Sequence, residues 1–127
     1  MKVLVFGSRD WMLDWPIRRE LVKLPAKGTI IVHGAARGAD SIAGVIAKEF
    51  GFDVRVYPVT PEEWSALGKA AGVLRNTKML CSEHPDANGV TITKALGFSV
   101  DIEHSNGSRN MASQLREANV PTEIFKA

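Results

Sequence analysis

The sequence predicts a single α/β domain over residues 1–127, with a doubly wound, mainly parallel sheet of about five strands and helices on both faces. Three observations support this fold class. Short apolar runs alternate along the chain with stretches that have the apolar spacing of a helix. Val3–Phe6 is apolar at every position, as in a strand that is covered on both faces. The length of 127 residues suits one domain with one core.

Each predicted strand is a short apolar run that is bounded by turn residues. Phe98–Ile102 is interpreted either as a further extended piece or as a loop, and residues 94–104 are expected to form a long connection. The predicted strands are Val3–Phe6, Thr29–Val32, Asp53–Tyr57, Val90–Thr93 and Thr122–Phe125.

Four helices are predicted between these strands. One starts near Asp14, one runs from about Ala39 to Gly51, and the last follows the polar turn Ser105–Asn110. The third starts at a capping box over residues 60–63 and is expected to be long, with two glycines that indicate a kink or close packing. Its residues expected to face the core are Trp64, Leu67, Ala71, Leu74 and Met79.

Composition excludes several classes of protein. The formal net charge of +2 is too small to indicate nucleic acid or a membrane surface, although residues 1–60 carry nine basic against six acidic groups. A single cysteine excludes an internal disulfide and a cysteine-rich zinc site. No apolar stretch is long enough for a membrane span or a signal peptide, so we expect a cytoplasmic protein without a membrane partner.

Three glycine-containing turns are expected at the carboxyl edge of the sheet, where ligands bind in doubly wound folds. They are Gly7–Asp10, His33–Asp40 and Ser105–Asn110. Glycine lets backbone amides converge on an anion, and the amino end of the next helix adds partial positive charge. Each turn also contains an arginine, which suits phosphate or carboxylate. The sequence therefore predicts a phosphate-binding loop and a small anionic ligand.

Other chemistries find no support. Gly34–Asp40 does not match the dinucleotide motif, and the chain contains no P-loop motif. Cys81 lies in no nucleophile pattern. His33, His84 and His104 lack the spacing of metal ligands, so no metal is predicted.

Several residues keep two interpretations. Trp11 and Trp15 either stack on a base, or at least one of them packs the first helix against the sheet. His33 is either a ligand contact or a packed residue at a strand end. Arg75 either lies on an exposed helix face or reaches over the strand ends to the ligand. Asp101 and Glu103 either border a pocket or belong to a solvated loop.

Four motifs resemble the YspA-related branch of the SLOG superfamily, in order and over nearly the whole chain. The first two are Gly-Ser-Arg-Asp-Trp at residues 7–11 and His-Gly-Ala-Ala-Arg-Gly-Ala-Asp at residues 33–40. The third runs from Trp64 through Gly68, Gly72 and Arg75-Asn76 to Met79, and the fourth is Gly-Ser-Arg-Asn-Met at residues 107–111. Such proteins occur in bacteria and phages.

The resemblance implies a Rossmann-like fold that binds a nucleotide or a nucleotide-derived ligand, such as a signalling nucleotide, without a required cofactor. It also implies a homo-oligomer. The ligand-facing residues it implies are Gly7, Ser8, Arg9, His33, Gly34, Arg37, Gly38, Asp40, Arg75, Asn76, Gly107 and Ser108.

The expected mechanism has the Gly34–Gly38 and Gly107–Ser108 turns cradling phosphate through backbone amides. Arginines 9, 37 and 75 neutralise its charge, Asp40 orients a ribose hydroxyl or holds Arg37, and Trp11 covers the base.

Two alternatives stay open. In a phosphoribohydrolase-like enzyme Asp40 is the candidate catalytic carboxylate, because Met111 stands where that branch of the superfamily has its glutamate. The other alternative is single-stranded nucleic-acid binding, which the small net charge disfavours.

Overall fold

The computed structural model describes residues 1–102 and 105–126, and within them the chain forms five strands and five helices. The strands are β1 (Lys2–Gly7), β2 (Ile30–His33), β3 (Asp53–Val56), β4 (Lys94–Phe98) and β5 (Thr122–Phe125). The helices are α1 (Trp15–Leu21), α2 (Ala39–Glu49), α3 (Pro61–Leu67), α4 (Ala70–Glu83) and α5 (Asn106–Glu117). None of the helices in the described ranges combines the length and apolar character that a membrane span needs.

The sheet has the strand order β3-β2-β1-β4-β5, and neighbouring strands pair in parallel throughout. This confirms the predicted Rossmann-like fold class. The chain winds from β1 towards the β3 edge and later from β4 towards the β5 edge. The direction therefore reverses between β1 and β4, and such a switch point leaves a crevice at the carboxyl ends of the two strands.

The apolar run of β1 is buried on both sides because helices cover both faces of the sheet. Val3 and Val5 pack in one apolar cluster with residues of α1 and α2. Leu4 and Phe6 pack in a second cluster with residues of α4 and α5. Successive side chains of a strand point to opposite faces of the sheet, so a strand that is covered on both faces is apolar at every position.

The predicted long third helix is two helices. The capping box at Thr60 is present and opens α3, but Gly68 follows with a φ of 56° and ends it before α4 begins. The prediction of one continuous apolar face is therefore wrong. Ala71 and Met79 are buried, whereas three residues expected in the core are exposed: Trp64, Leu67 and Leu74.

The predicted fourth strand is also wrong. Val90–Thr93 leads into the sheet, and the strand that pairs with β1 is Lys94–Phe98. Gly97 is the fourth residue of this strand, and a side chain is excluded there because a Cβ would lie 2.6 Å from Phe6 Cζ and 2.7 Å from Ile124 Cδ1. The long connection expected over residues 94–104 is thus a strand in its first half, while Glu103 and His104 lie outside the described residues.

A buried charge cluster (Lys2, Arg55, Tyr57, Glu83 and Asp86) ties the end of α4 to the first residue of β1. Lys2 is 1% exposed, and its Nζ lies 2.9 Å from Glu83 Oε1 and 2.8 Å from Asp86 Oδ2. Arg55 Nη1 lies 2.6 Å from Glu83 Oε1, and the Tyr57 hydroxyl donates to Glu83. Burial alone would raise the pKa of Glu83, but these hydrogen bonds outweigh it and lower that pKa.

Candidate functional site

A cavity of about 560 Å³ lies in the crevice between the carboxyl ends of β1 and β4, and we call it the switch-point cavity. Its volume is in the range of small-ligand sites. The turn after β1, the helices α3 and α4, and the segment that leads from β4 into α5 form its walls. Eight of the thirteen predicted ligand-binding residues line it: Gly7, Ser8, Arg9, Asp40, Arg75, Asn76, Gly107 and Ser108.

The amino end of α5 opens into the switch-point cavity. Ser105 is its N-cap residue, and the Ser105 side chain makes no capping hydrogen bond. The backbone amides of Asn106, Gly107 and Ser108 lie in the first turn, where a helix provides no acceptor for them. The helix dipole adds roughly half a positive charge at this end. The arrangement therefore favours a negatively charged group.

Ser108 adds a hydroxyl to this helix end. The residue is 4% exposed, lines the cavity, and has no hydrogen-bond partner for its Oγ among the described residues. A buried polar atom without a partner costs free energy, so a ligand atom that bonds to it would be favoured. Gly107 leaves space in front of these groups, since no atom lies within 4 Å of the position that a Cβ would take.

Three cationic side chains line the cavity, namely Arg9, Lys69 and Arg75. Arg75 reaches over the strand ends, where its Nη1 donates to the Gly34 carbonyl and its Nε donates to Asn76 Oδ1 at 2.9 Å. Burial lowers the pKa of Arg75, and the positive charge of Arg9 acts in the same direction. An anionic ligand between these two guanidinium groups would relieve that repulsion.

Asn76 positions the arginine and α5 rather than presenting a free amide. It is buried, and its Nδ2 donates to Asn110 Oδ1 at 3.1 Å and to the Gly107 carbonyl at 3.4 Å. Its Oδ1 accepts from Arg75. Asn76 thus links α4 to the first turn of α5.

In the predicted phosphate cradle at Gly34–Gly38, the first three backbone amides donate to side chains of the chain itself. Asp40 Oδ2 accepts from the amide of Gly34 at 3.0 Å and from that of Ala36 at 3.3 Å. His33 Nδ1 accepts from the Ala35 amide at 3.0 Å. The chain's own side chains therefore occupy three of the amides that were expected to bind phosphate, those of Gly34, Ala35 and Ala36.

Asp40 therefore bonds to the backbone of its own turn instead of pairing with Arg37 as expected. Burial is the largest cause that raises its pKa to about 6, against the charge of Arg75 and the two amides, which lower it. The carboxyl group still lines the cavity.

His33 is a packed residue at the end of β2 and does not line the cavity. Burial, with smaller contributions from Lys48 and Arg75, lowers its pKa to about 4. The imidazole is therefore neutral at physiological pH, in keeping with the hydrogen bond that its Nδ1 accepts.

Trp11, Arg37 and Gly38 also fall outside the switch-point cavity. They border a second depression of about 420 Å³, which Arg9 and Asp10 line as well. Trp11 is 2% exposed, its Nε1 donates to the Leu13 carbonyl, and its ring packs on the core, so it does not cover a base.

Arg37 is highly exposed and lies 4.0 Å from Asp10. Gly38 is needed for the fold, because its φ of 85° and the close approach of the Ser8 and Arg9 carbonyls exclude a side chain.

The sequence reasoning missed several residues of the cavity wall. Trp64 and Lys69 lie at it because α3 and the start of α4 follow the carboxyl end of β3. The capping box at Thr60 was the available signal, since it places a helix start at this same edge of the sheet. Asp10 and Asp101 add negative charge to the rim. Among the described residues no group of three or more His, Cys, Asp and Glu side chains is arranged to hold a metal ion.

Comparison with known proteins places the chain in a family. No family model matches the sequence. The chain is 34% identical to the Gene 61 protein of Mycobacterium phage D29 over 131 residues, which cover 98% of this chain and 95% of that protein. Its structure is similar to that of DNA processing protein A (DprA) from Streptococcus pneumoniae, with a TM-score of 0.72 and 17% identity. That match covers 99% of this chain and 50% of DprA, so the chain spans about half of DprA and shares its fold. By its similarity along nearly the full length, the chain belongs to the same family as the Gene 61 protein of Mycobacterium phage D29.

Proposed function

We propose that the protein binds a nucleotide or nucleotide-derived ligand in the switch-point cavity, with its phosphate at the amino end of α5. We also propose that it belongs to the YspA-related branch of the SLOG superfamily and acts in the cytoplasm. The observation that carries the ligand proposal is the buried Ser108 hydroxyl, which has no partner among the described residues and lies beside the uncapped first turn of α5.

Charge and space agree with a small phosphorylated ligand. Arg9, Lys69 and Arg75 supply positive charge to a cavity of about 560 Å³. The rim aspartates, Asp10 and Asp101, make the cavity mixed in charge, which disfavours a polyanion along its whole length and suits one phosphate with polar groups beside it.

Two exposed arginines test this placement because only one of them lines the cavity. We expect Arg9→Ala to weaken binding of adenosine 5′-monophosphate roughly 10- to 100-fold, the loss of one charge-assisted hydrogen bond. We expect Arg37→Ala to leave the affinity within about twofold, because Arg37 borders the second depression. Isothermal titration calorimetry with a panel of nucleoside phosphates, cyclic nucleotides and ADP-ribose measures both. Absence of heat from the whole panel would refute the proposal, and a loss in Arg37→Ala alone would move the site to the Gly34–Gly38 turn.

Gly107→Ala is expected to separate stability from binding. A glycine in a helix destabilises it, so alanine should raise the free energy of unfolding by about 0.5 kcal/mol. The added methyl group would project into the empty space at the phosphate position and weaken nucleotide binding about tenfold. Ser113→Ala, an exposed position on the same helix, is the control that should gain helix stability without losing affinity. Unchanged affinity in Gly107→Ala would argue against phosphate at this helix end.

A nucleotide hydrolase is a second candidate, favoured by one observation. The Asp40 carboxyl lines the cavity, and burial raises its pKa to about 6, near the range of a general acid or base. Incubation with nucleoside monophosphates, followed by chromatography for free base, decides the question. Product formation that Asp40→Asn abolishes would support it, and no product would exclude it.

Single-stranded nucleic acid is the third candidate ligand. The fold resembles that of a DNA-processing protein, so it does not support the expectation that nucleic acid is not a partner. The mixed charge of the cavity rim argues against this candidate. A gel shift with a single-stranded oligonucleotide at two salt concentrations tests it, since salt-sensitive binding is the signature of phosphate contacts.

A further inference from the structure

The helix α3 stands at the cavity without contributing to the core. None of its residues from Pro61 to Leu67 is buried, and it ends at Gly68. The space around Gly68 is open, with no atom within 4 Å of the position that a Cβ would take. A short helix with so little buried surface can shift with small cost in free energy. The side chains that α3 places at the cavity are therefore not needed for the core.

Trp64 is the residue that α3 places at the cavity. The side chain lines the cavity, and the residue is 37% exposed. The Arg9 guanidinium lies over the indole ring, 5.0 Å from its centroid. The ring lies beside Gly72 of α4, where the Trp64 Cη2 atom is 3.9 Å from the position that a Cβ would take, an ordinary van der Waals distance.

Trp64 is also the one tryptophan of the chain that lines the switch-point cavity. Trp11 is buried in the core. Trp15 is exposed on α1, where Arg19 lies over its ring. Phe6 of β1 also lines the cavity but is only 4% exposed, so the exposed aromatic surface offered to a ligand here is the Trp64 ring on α3.

We propose that Trp64 is the base-stacking residue of the site, an inference that rests on the proposed nucleotide binding. The base of the ligand takes the position over the indole that the Arg9 guanidinium has in this structure. A guanidinium and a nucleobase are both flat groups that stack on an aromatic face. Arg9, once displaced from the ring, turns its charge to the phosphate.

This placement determines what the site selects. Stacking on an indole accepts every nucleobase, because each base has a π-face, and it adds about 1–3 kcal/mol per base. The site therefore discriminates between a ligand that carries a base and one that is only a sugar phosphate. It discriminates weakly between one base and another.

The test compares adenosine 5′-monophosphate with ribose 5-phosphate, which has the same phosphate and sugar without a base. In Trp64→Leu we expect the affinity for adenosine 5′-monophosphate to fall about 5- to 150-fold, the stacking contribution converted to an equilibrium constant. The affinity for ribose 5-phosphate should change less than about twofold. Trp64→Phe, which keeps an aromatic face, should retain most of the affinity. Trp15→Leu is the matched control and should bind both ligands as the wild type does.

The outcomes separate the two proposals. If both ligands lose affinity equally in Trp64→Leu, or if adenosine 5′-monophosphate loses none, Trp64 is not the stacking residue although nucleotide binding stands. If no nucleotide of the panel binds the wild-type protein, the proposed function fails and this inference fails with it. Because α3 has no buried residue, the variants should unfold at nearly the wild-type temperature, which a thermal melt verifies.

Discussion

Lys2→Met is expected to lower the free energy of unfolding by up to about 3–5 kcal/mol, because it removes the buried cation and leaves Glu83 and Asp86 with the half-exposed Arg55 alone. Lys2 is 1% exposed, and its Nζ lies within 3 Å of a carboxylate oxygen of both Glu83 and Asp86. The methionine side chain fills a similar volume, so the loss would report on charge rather than on an empty cavity. Urea unfolding followed by circular dichroism measures the difference.

The control is the same substitution at a surface ion pair. Lys23 Nζ lies 3.0 Å from Glu20 Oε2, but the lysine side chain is mostly exposed. Lys23→Met should therefore cost less than about 1 kcal/mol. Equal losses in the two variants would contradict the structural importance of the buried charge cluster.

The stability of Lys2→Met should also respond to acid differently from that of the wild-type protein. The pKa of Asp86 is lowered, first by the hydrogen bond from Lys2 and then by bonds from the amides of Val90 and Asn88. A lowered pKa stabilises the fold at pH values above the ordinary pKa of aspartate, and this stabilisation is lost as the pH falls. Lys2→Met should therefore lose less of its remaining stability in acid than the wild type does.

Asp40→Asn is expected to reveal a pH dependence of stability that the wild-type protein largely hides. Burial raises the pKa of Asp40 to about 6 and lowers that of His33 to about 4. Between these pH values folded Asp40 binds a proton that the unfolded chain has released, so its contribution to stability falls as the pH rises. His33 does the opposite, because the unfolded imidazole binds a proton that the folded one excludes.

In Asp40→Asn the pH-dependent contribution of His33 to stability is no longer offset by that of Asp40. The free energy of unfolding should therefore rise by up to about 3 kcal/mol between about pH 4 and pH 7. The asparagine oxygen can still accept from the amides of Gly34 and Ala36, so the turn should be retained. The measurement is urea unfolding at a series of pH values.

His33→Asn is the mirror control, in which stability should fall as the pH rises over the same interval, since the Asp40 contribution is left alone. The asparagine oxygen replaces Nδ1 as acceptor for the Ala35 amide. If both variants followed the wild-type pH dependence, the assigned protonation states of the two buried groups would be wrong.

The alternation of short apolar runs with helical stretches predicted the fold class. A strand that is buried on both faces is apolar along its length, and the sequence of β1 shows this pattern. The alternation did not predict β4. Gly97 and Lys94 weaken a strand signal, and the reason for the glycine is the approach of Phe6 and Ile124 from neighbouring strands. Such tertiary contacts override local propensity and are not visible before the strands are placed.

For the site, sequence placed glycine turns at the correct edge but not the partners of their amides. The carboxylate of Asp40 competes for the amides of its own turn, a local bond that short polar side chains often make. Sequence assigned the base to Trp11 and placed Trp64 in the core, whereas Trp11 is the buried indole and Trp64 lines the cavity. Trp11 is buried because it packs in one cluster with Ile17 and Leu21 of α1, a contact that periodicity alone does not show.

The most direct test of the phosphate position is a crystal structure of the protein with adenosine 5′-monophosphate. We predict that a phosphate oxygen lies within hydrogen-bonding distance, about 3 Å, of Ser108 Oγ or of the first-turn amides of α5. A nucleotide whose phosphate binds instead at the Gly34–Gly38 turn or in the second depression would contradict the account.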